Sequence, residues 1–245
     1  DLKENDLQKR LNESTFPWMS SNTRHVTGDH TSFFKVQKER DTISVTDTYT
    51  MNLKGENGKE ITIGFLGVTL PSNPKDYVFY GDMYDESERA YNEIKDKTAI
   101  VFGLTHLEVE QDTELLKRIP EIPLLMGGHE HNAMSVPVGN SKITKADANA
   151  KTIYIHTLVY NTKTKELVID SELFFIDENV ASKPEVETIV NKWVSILELK
   201  IKEIIQDPNE VIFTASSPLD GTDSANRSIQ TNLGDIITEA MAWSF

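Results

Sequence analysis

The sequence predicts a layered α/β fold, because apolar strand-like runs alternate with amphipathic helical runs along the chain. Residues 61–68 and 98–104 are apolar enough to be buried central strands. A helix is predicted between them at 85–94, and another at about 110–118 precedes a short apolar strand at 122–126. This strand–helix–strand order is typical of a sheet covered by helices.

Further elements are predicted on both sides of this core. Residues 2–13 have the apolar spacing of a short helix, and residues 41–70 alternate in the manner of a β-hairpin. A second hairpin is predicted over residues 151–176. A long amphipathic helix of about five turns is predicted after it. Its N-cap is predicted at Ser182, with Pro184 in its first turn.

The composition narrows the classes of function. The 245-residue chain carries 25 Lys and Arg against 39 Asp and Glu, a formal net charge of −14. This charge disfavours binding to DNA or RNA polymers, whereas a metal ion or a few arginines can still bind one small phosphate. The sequence has no cysteine, which excludes disulfides and thiolate ligands. It also has no apolar run long enough to span a membrane.

Both ends of the sequence are interpreted as cuts through a longer protein. Residues 1–5 are charged and lack an initiating Met, and the helical apolar spacing of residues 233–241 ends without a capping signal. We therefore expect a partial first domain over residues 1–180, a linker helix over 181–208 and the beginning of a second domain over 209–245.

Three of the six histidines follow predicted strands. His106 follows the second buried strand, and His129 and His131 follow the short apolar strand and the pair Gly127-Gly128. Ligands collect beyond the carboxyl ends of strands in open α/β sheets, so these side chains can face one point. On an extended segment both rings of a His-x-His sequence point to the same side. The pattern therefore predicts a metal site rather than three unrelated loop histidines.

The number of metal ions does not follow from these histidines. Three imidazoles suit a single catalytic zinc ion, whereas a two-metal hydrolytic centre also needs a bridging carboxylate. No Asp-x-His sequence follows a predicted strand in this chain. We therefore expect the bridging carboxylate to lie outside the sequence, and the 245 residues alone to bind metal weakly.

The order of these motifs resembles the calcineurin-like metallophosphoesterases, and within them the 5′-nucleotidase family. The matching segments are Phe-Pro-Trp-Met-Ser-Ser-Asn at 16–22, Gly-Leu-Thr-His at 103–106, Gly-Gly-His-Glu-His at 127–131 and Arg-Ser-Ile-Gln-Thr-Asn-Leu-Gly at 227–234. The resemblance spans nearly the whole chain. It implies the C-terminal part of a layered α/β/β/α metallophosphoesterase sandwich, then a long linker helix and the start of a second, α+β, nucleotide-binding domain.

The resemblance also implies roles for five residues. His106 and His129 bind one divalent metal ion and His131 serves a second, with zinc, manganese and magnesium as candidates. Arg227 contacts the phosphate of the substrate. Asp1 orients a catalytic histidine that is itself absent from this sequence.

The implied function of the parent protein is metal-dependent hydrolysis of nucleotide phosphomonoesters. The implied location is extracellular, periplasmic or on the cell surface, and the present chain alone is expected to be inactive. Three alternatives from the same superfamily remain open: a 2′,3′-cyclic phosphodiesterase, a UDP-sugar hydrolase and a sulfur-ester hydrolase. An alternative from a different class is a non-catalytic binding protein on a degenerate phosphoesterase scaffold, against which the presence of all three histidines argues.

Overall fold

The computed structural model describes residues 2–55, 58–211 and 213–244. The chain divides into two compact units, Asp1–Val180 and Ala181–Phe245. Asp1 lies outside the described residues, and so do residues 56 and 57, within the hairpin predicted over residues 41–70. None of the described helices combines the length and the apolar character needed to cross a bilayer.

The first unit contains three helices and thirteen strands in its described part. The helices are α1 (Glu4–Glu13), α2 (Met83–Ile94) and α3 (Val109–Arg118). The strands are β1 (Thr23–Thr27), β2 (His30–Ser32), β3 (Lys35–Lys38), β4 (Asp41–Ser44), β5 (Thr48–Lys54), β6 (Glu60–Thr69), β7 (Val78–Tyr80), β8 (Ile100–His106), β9 (Leu124–Gly127), β10 (Met134–Val138), β11 (Ser141–Lys145), β12 (Thr152–Tyr160) and β13 (Leu167–Phe175).

A six-stranded sheet in the order β10-β11-β9-β8-β6-β5 forms the centre of this unit. The neighbours among β6, β8, β9 and β11 pair in parallel, and β5 and β10 pair antiparallel at the two edges. Parallel neighbours need crossover connections, which α2 and α3 supply between β6, β8 and β9. The predicted α/β fold is confirmed.

Side chains from both faces of the sheet are buried. On one face, Leu66 and Leu125 pack with Ala90 of α2 and Leu115 of α3 in a cluster of almost fully buried residues. On the other face, Phe102 and its neighbours pack against residues of β13. Burying one such side chain stabilises the fold by about 1.5–3 kcal/mol. The sheet is therefore held between helices and the β12–β13 hairpin.

The predicted elements are confirmed in type more often than at their ends. The helix predicted at 2–13 is α1, and the hairpin predicted at 151–176 is the antiparallel pair β12–β13. The region 41–70 forms the predicted hairpin over residues 48–69, as β5 and β6. Its first residues pair instead with β3, in a separate two-stranded sheet.

Two predicted helix starts are wrong. Helix α2 begins at Met83, because the carboxylate of Asp82 accepts hydrogen bonds from the backbone N–H groups of Tyr84 and Asp85, both at 2.9 Å. The long helix of the second unit has Lys183 rather than Ser182 at its N-cap, and no side chain caps it. Pro184 occupies the first turn, where its missing N–H costs no hydrogen bond.

The second unit is helical in its described part. It contains α4 (Pro184–Lys202), α5 (Asp223–Ser228) and α6 (Asn232–Ser244). Helix α4 has the predicted apolar stripe, but none of its residues, all of which are described, is buried. Trp193, for example, is 61% exposed. The assignment of residues 181–208 as a linker and of 209–245 as the start of a nucleotide-binding domain stays a prediction.

Candidate functional site

The candidate site lies at the carboxyl ends of β8 and β9. These strands pair in parallel, with Thr105 opposite Gly127, and the N–H of Gly128 donates to the carbonyl oxygen of Thr105 at 2.9 Å. A β-carbon on Gly128 would lie 3.3 Å from Nδ1 of His106. Glycine at position 128 therefore lets the backbone of the turn pass close to the His106 ring.

The structure brings His106 and His129 together. Their ring centroids are 5.3 Å apart, and the rings meet edge to face at 80°. The prediction that residues 129–131 are extended is wrong, because His129 has a φ of 85° in a bend. Residues with a β-carbon rarely adopt this left-handed backbone conformation, so contacts of the neighbouring residues must stabilise it.

His131 lies further along the same turn. Its carbonyl oxygen accepts a hydrogen bond from the N–H of Ala148 at 3.2 Å. Among the described residues, no group of three or more His, Cys, Asp or Glu side chains is placed to hold one metal ion. The structure therefore pairs His106 with His129, and the three-histidine metal site stays a prediction.

The surroundings of His106 favour its neutral form. Burial lowers the pKa of His106 below its ordinary value, although part of the ring is exposed to solvent. Charge on His129, Lys145 and His131 lowers it further, and only Glu130 acts in the opposite direction. A neutral imidazole has the free nitrogen lone pair that a metal ion requires.

A cavity of about 740 Å³ lies beside His106. His106, Gly127 and Gly128 form part of its wall, and most of the remainder is apolar, including Trp18 and Phe65. Ligand sites in proteins are commonly clefts of this size, with a few polar groups on a largely apolar wall. His106 therefore lies at the margin of a space large enough for a small molecule.

A buried ion pair network adjoins the two segments that carry the histidines, and it was not predicted from the sequence. Lys145 and Asp112 are both 0% exposed, and Lys145 Nζ lies 2.8 Å from Asp112 Oδ2. Lys145 Nζ also donates to the carbonyl oxygen of Leu107 at 2.6 Å and to Oε2 of Glu130. No clear signal in the sequence marks it, because Lys145 ends a strand that contains only one apolar residue.

The pKa values of the two carboxyl groups in this network shift in opposite directions. Burial raises the pKa of Asp112 above its ordinary value, and the nearby Lys145 and Thr105 offset this only in part. Burial also acts to raise the pKa of Glu130, but hydrogen bonds from Lys145 and from backbone N–H groups outweigh it. The pKa of Glu130 therefore lies below its ordinary value, and Glu130 is the ionised partner of Lys145 at neutral pH.

Asp147 holds the far end of the same turn. Its Oδ1 accepts a hydrogen bond from the N–H of Ala133 at 2.9 Å, and its Oδ2 accepts one from the hydroxyl of Thr152 at 2.8 Å. These hydrogen bonds lower the pKa of Asp147 below its ordinary value. Asp147 thus fixes the segment that follows His131 to the start of β12.

Two further residues were predicted to belong to the site, Asp1 and Arg227. Asp1 lies outside the described residues, so its predicted catalytic role has no structural counterpart here. Arg227 lies in the last turn of α5, in the second unit, and is exposed. Its predicted contact with a substrate phosphate stays a prediction.

Comparisons with known proteins extend this picture. No protein-family profile matches the chain. Over 179 residues, 69% of the chain, the sequence is 25% identical to the trifunctional nucleotide phosphoesterase protein YfkN of Bacillus subtilis (strain 168), of which the chain covers 12%. The fold is similar to that of a 5′-nucleotidase precursor from Thermus thermophilus, with a TM-score of 0.67 and 18% identity, over 97% of this chain and 48% of that one.

A second solved structure has a similar fold. The sulfate thiohydrolase SoxB of Thermus thermophilus matches 78% of this chain with a TM-score of 0.59 and 16% identity, over 34% of its own length. The chain thus spans less than half the length of each of these three proteins. The fold is that of an α/β metallophosphoesterase domain, and the predicted resemblance to the 5′-nucleotidase-like metallophosphoesterases is confirmed.

Proposed function

We propose that the chain is part of a hydrolase that cleaves phosphate esters of nucleotides with the help of divalent metal ions. The observation that supports this most directly is the 5.3 Å approach of His106 and His129 at the carboxyl ends of two parallel strands. The names of the Bacillus subtilis phosphoesterase and the Thermus thermophilus 5′-nucleotidase precursor agree with this reaction class.

The donor set fits a divalent metal ion in part. His106 and His129 are close neighbours whose imidazole nitrogens suit zinc or manganese, and His131 follows on the same turn as the proposed ligand of a second ion. When bound, such ions polarise a phosphate ester and activate a water molecule for attack. The contribution of the chain itself is to hold the His106 ring at the wall of the cavity and the His129 ring beside it.

Charge favours a small phosphate ester over a polymer. The net charge of −14 opposes the approach of nucleic acids, so the phosphate of the substrate needs local compensation. In this proposal Arg227 supplies a guanidinium group for that phosphate, and Asp1 orients a catalytic histidine that lies outside the sequence. We further propose that the parent protein acts outside the cell or in the periplasm, and that the present chain alone has little activity.

Phosphate release by the parent protein tests this proposal. The substrate panel contains nucleoside monophosphates, a 2′,3′-cyclic nucleotide, a UDP-sugar and a sulfur ester, each with added Mn²⁺, Zn²⁺ or Mg²⁺. We expect metal-dependent release of phosphate from the monophosphates, and a loss of at least about 100-fold in His129→Ala, because a metal ligand is removed. His30→Ala is the matched control, since His30 is exposed on β2, away from β8 and β9.

The other outcomes distinguish the alternatives. Turnover confined to the UDP-sugar, the cyclic nucleotide or the sulfur ester would replace the substrate class while keeping the reaction class. A parent protein that binds no stoichiometric divalent metal and releases no phosphate would be a binding protein on a phosphoesterase scaffold, and the proposal would be wrong.

A further inference from the structure

Glu130 lies between His129 and His131 in the sequence, and both of its carboxylate oxygens accept hydrogen bonds from other residues. Oε1 accepts a hydrogen bond at 2.6 Å from the N–H of Val109, the first residue of α3. Oε2 accepts one from the ammonium group of Lys145. The carboxylate closest in sequence to the two histidines is therefore used in contacts within the protein.

Lys145 connects the two segments that carry the histidines. Three oxygen atoms surround its ammonium group: the carbonyl oxygen of Leu107, Oδ2 of Asp112 and Oε2 of Glu130. Leu107 directly follows His106, and Glu130 lies between His129 and His131. One buried cation thus fixes the end of β8 to the turn after β9.

Glycine at position 127 makes room for this lysine. A β-carbon on Gly127 would lie 2.8 Å from Cε and 3.1 Å from Cγ of Lys145. The stem of Lys145 therefore passes across the position that a larger side chain would fill. The two glycines before His129 have different tasks, since Gly128 adjoins the His106 ring and Gly127 adjoins the lysine.

The conformation of His129 requires such support. A φ of 85° is unfavourable for a residue with a β-carbon, and it persists only where the surrounding structure fixes the chain on both sides. Before His129, the N–H of Gly128 is bound to Thr105 at 2.9 Å. After His129, Glu130 is bound to Lys145 and Val109. The attachment through Glu130 is therefore one of the contacts that hold the turn next to His129.

We propose that Glu130 is a positioning residue that acts through Lys145, holding His129 and His131 in the arrangement in which they bind a metal ion. This inference rests on the proposed function for the identity of the ligand, but not for the attachment itself. In this account Glu130 does not bind the metal ion, and its two oxygens accept hydrogen bonds from Val109 and Lys145 instead. Residues that orient metal ligands in this way typically contribute about 10- to 100-fold to metal affinity.

The test compares variants of the parent protein by two measurements. Glu130→Gln removes the charge, Glu130→Asp keeps the charge with a shorter reach, and Lys145→Met removes the anchor. Glu121→Gln, at an exposed position, is the matched control. The first measurement is backbone amide hydrogen exchange at residues 128–133 in metal-free protein, and the second is Mn²⁺ affinity by titration calorimetry.

We expect faster exchange at residues 128–133 in Glu130→Gln and Lys145→Met, with exchange in β6 unchanged wherever the variant folds. We also expect Mn²⁺ affinity to fall by about 10- to 100-fold in both, and by less in Glu130→Asp. The double variant Glu130→Gln/Lys145→Met should bind Mn²⁺ no more weakly than the single variant with the lower affinity. Each of the three variants loses the same contact, the one between Glu130 and Lys145. If Lys145→Met does not fold, the two Glu130 variants carry the comparison.

Three results would overturn the inference. Wild-type exchange and affinity in folded Glu130→Gln would show that the turn needs no attachment. Lower affinity in Glu130→Gln with unchanged exchange would show that Glu130 is itself a ligand. A wild-type parent protein that binds no Mn²⁺ while Glu130→Gln still exchanges faster would reject the proposed function alone, because the attachment would be present without the metal site.

Discussion

His106 and His129 extend from a sheet with buried side chains on both faces, whereas Arg227 lies on a helix of only six residues in a unit whose long helix α4 buries none of its side chains. Both regions carry residues that the sequence analysis assigned to the same site. In the first, hydrogen bonds and a buried ion pair fix the backbone around the histidines. In the second, Arg227 is exposed in the last turn of α5.

Helices with the same amphipathic spacing therefore differ in how much of their apolar face is buried. The apolar positions of α2 and α3 are buried against the sheet, and the apolar positions of α4 have the same periodicity without burial within the described chain. Most of the stability of a helix comes from packing of its apolar face rather than from helix propensity. Substitutions should therefore act strongly in the first unit and weakly in the second.

The largest expected effect is on the core of the first unit. Leu125→Ala removes a fully buried side chain from β9 and should lower the free energy of unfolding by about 2–5 kcal/mol, measured by urea denaturation. Leu199→Ala, at a position that is 65% exposed on α4, is the matched substitution and should change it by about 0.5 kcal/mol or less. Equal losses of unfolding free energy in the two variants would contradict the difference between the two units.

A smaller effect is expected at the helix starts. Asp82→Ala removes a side chain that caps α2 with two hydrogen bonds, and should cost about 0.5–2 kcal/mol of stability. Ser182→Ala, at the cap predicted from the sequence, should leave thermal unfolding unchanged because Ser182 does not cap α4. A loss of stability in Ser182→Ala but not in Asp82→Ala would restore the original assignment.

The smallest effect concerns pH and the hairpin β12–β13. His156 lies 3.0 Å by Nδ1 from the hydroxyl of Ser171 and 3.4 Å by Nε2 from that of Thr144. Burial lowers the pKa of His156 below its ordinary value, and Lys142 lowers it further. The unfolded chain therefore binds a proton more readily, so this contribution to stability is present above about pH 6.5 and is lost as the pH falls below it.

His156→Gln should flatten that pH dependence. Between about pH 7 and about pH 5.5 the free energy of unfolding of the first unit should fall less in the variant than in the wild type, measured by urea denaturation at each pH. His30→Gln, on the exposed strand β2, should keep the wild-type slope. A variant with an unchanged slope would show that His156 does not carry the effect.

Local patterns predicted much of the fold and less of the site. Strands β6, β8 and β9 and helices α1 and α3 follow from the sequence pattern, but β10 and β11 were missed. Pro137 interrupts the pattern of β10, and β11 contains only one apolar residue. Proline is tolerated there because β10 is an edge strand. The positive φ of His129 and the anchor Lys145 could not be predicted, since Lys145 contacts Leu107 across 38 residues of sequence. Such contacts depend on the assembled sheet.

The pairing of His106 with His129 as metal ligands can be tested by a titration of the chain with Mn²⁺ or Zn²⁺. The titration is followed through the histidine rings by NMR. Zn²⁺ is observed through chemical-shift changes, and Mn²⁺ through paramagnetic broadening. We expect the signals of His106 and His129 to change together at the same metal concentration, and those of His25 and His30 to stay constant, because only the first pair converges in the structure. His106→Ala should abolish the response of His129. A response confined to other histidines, or an independent response of His106 and His129, would contradict the account.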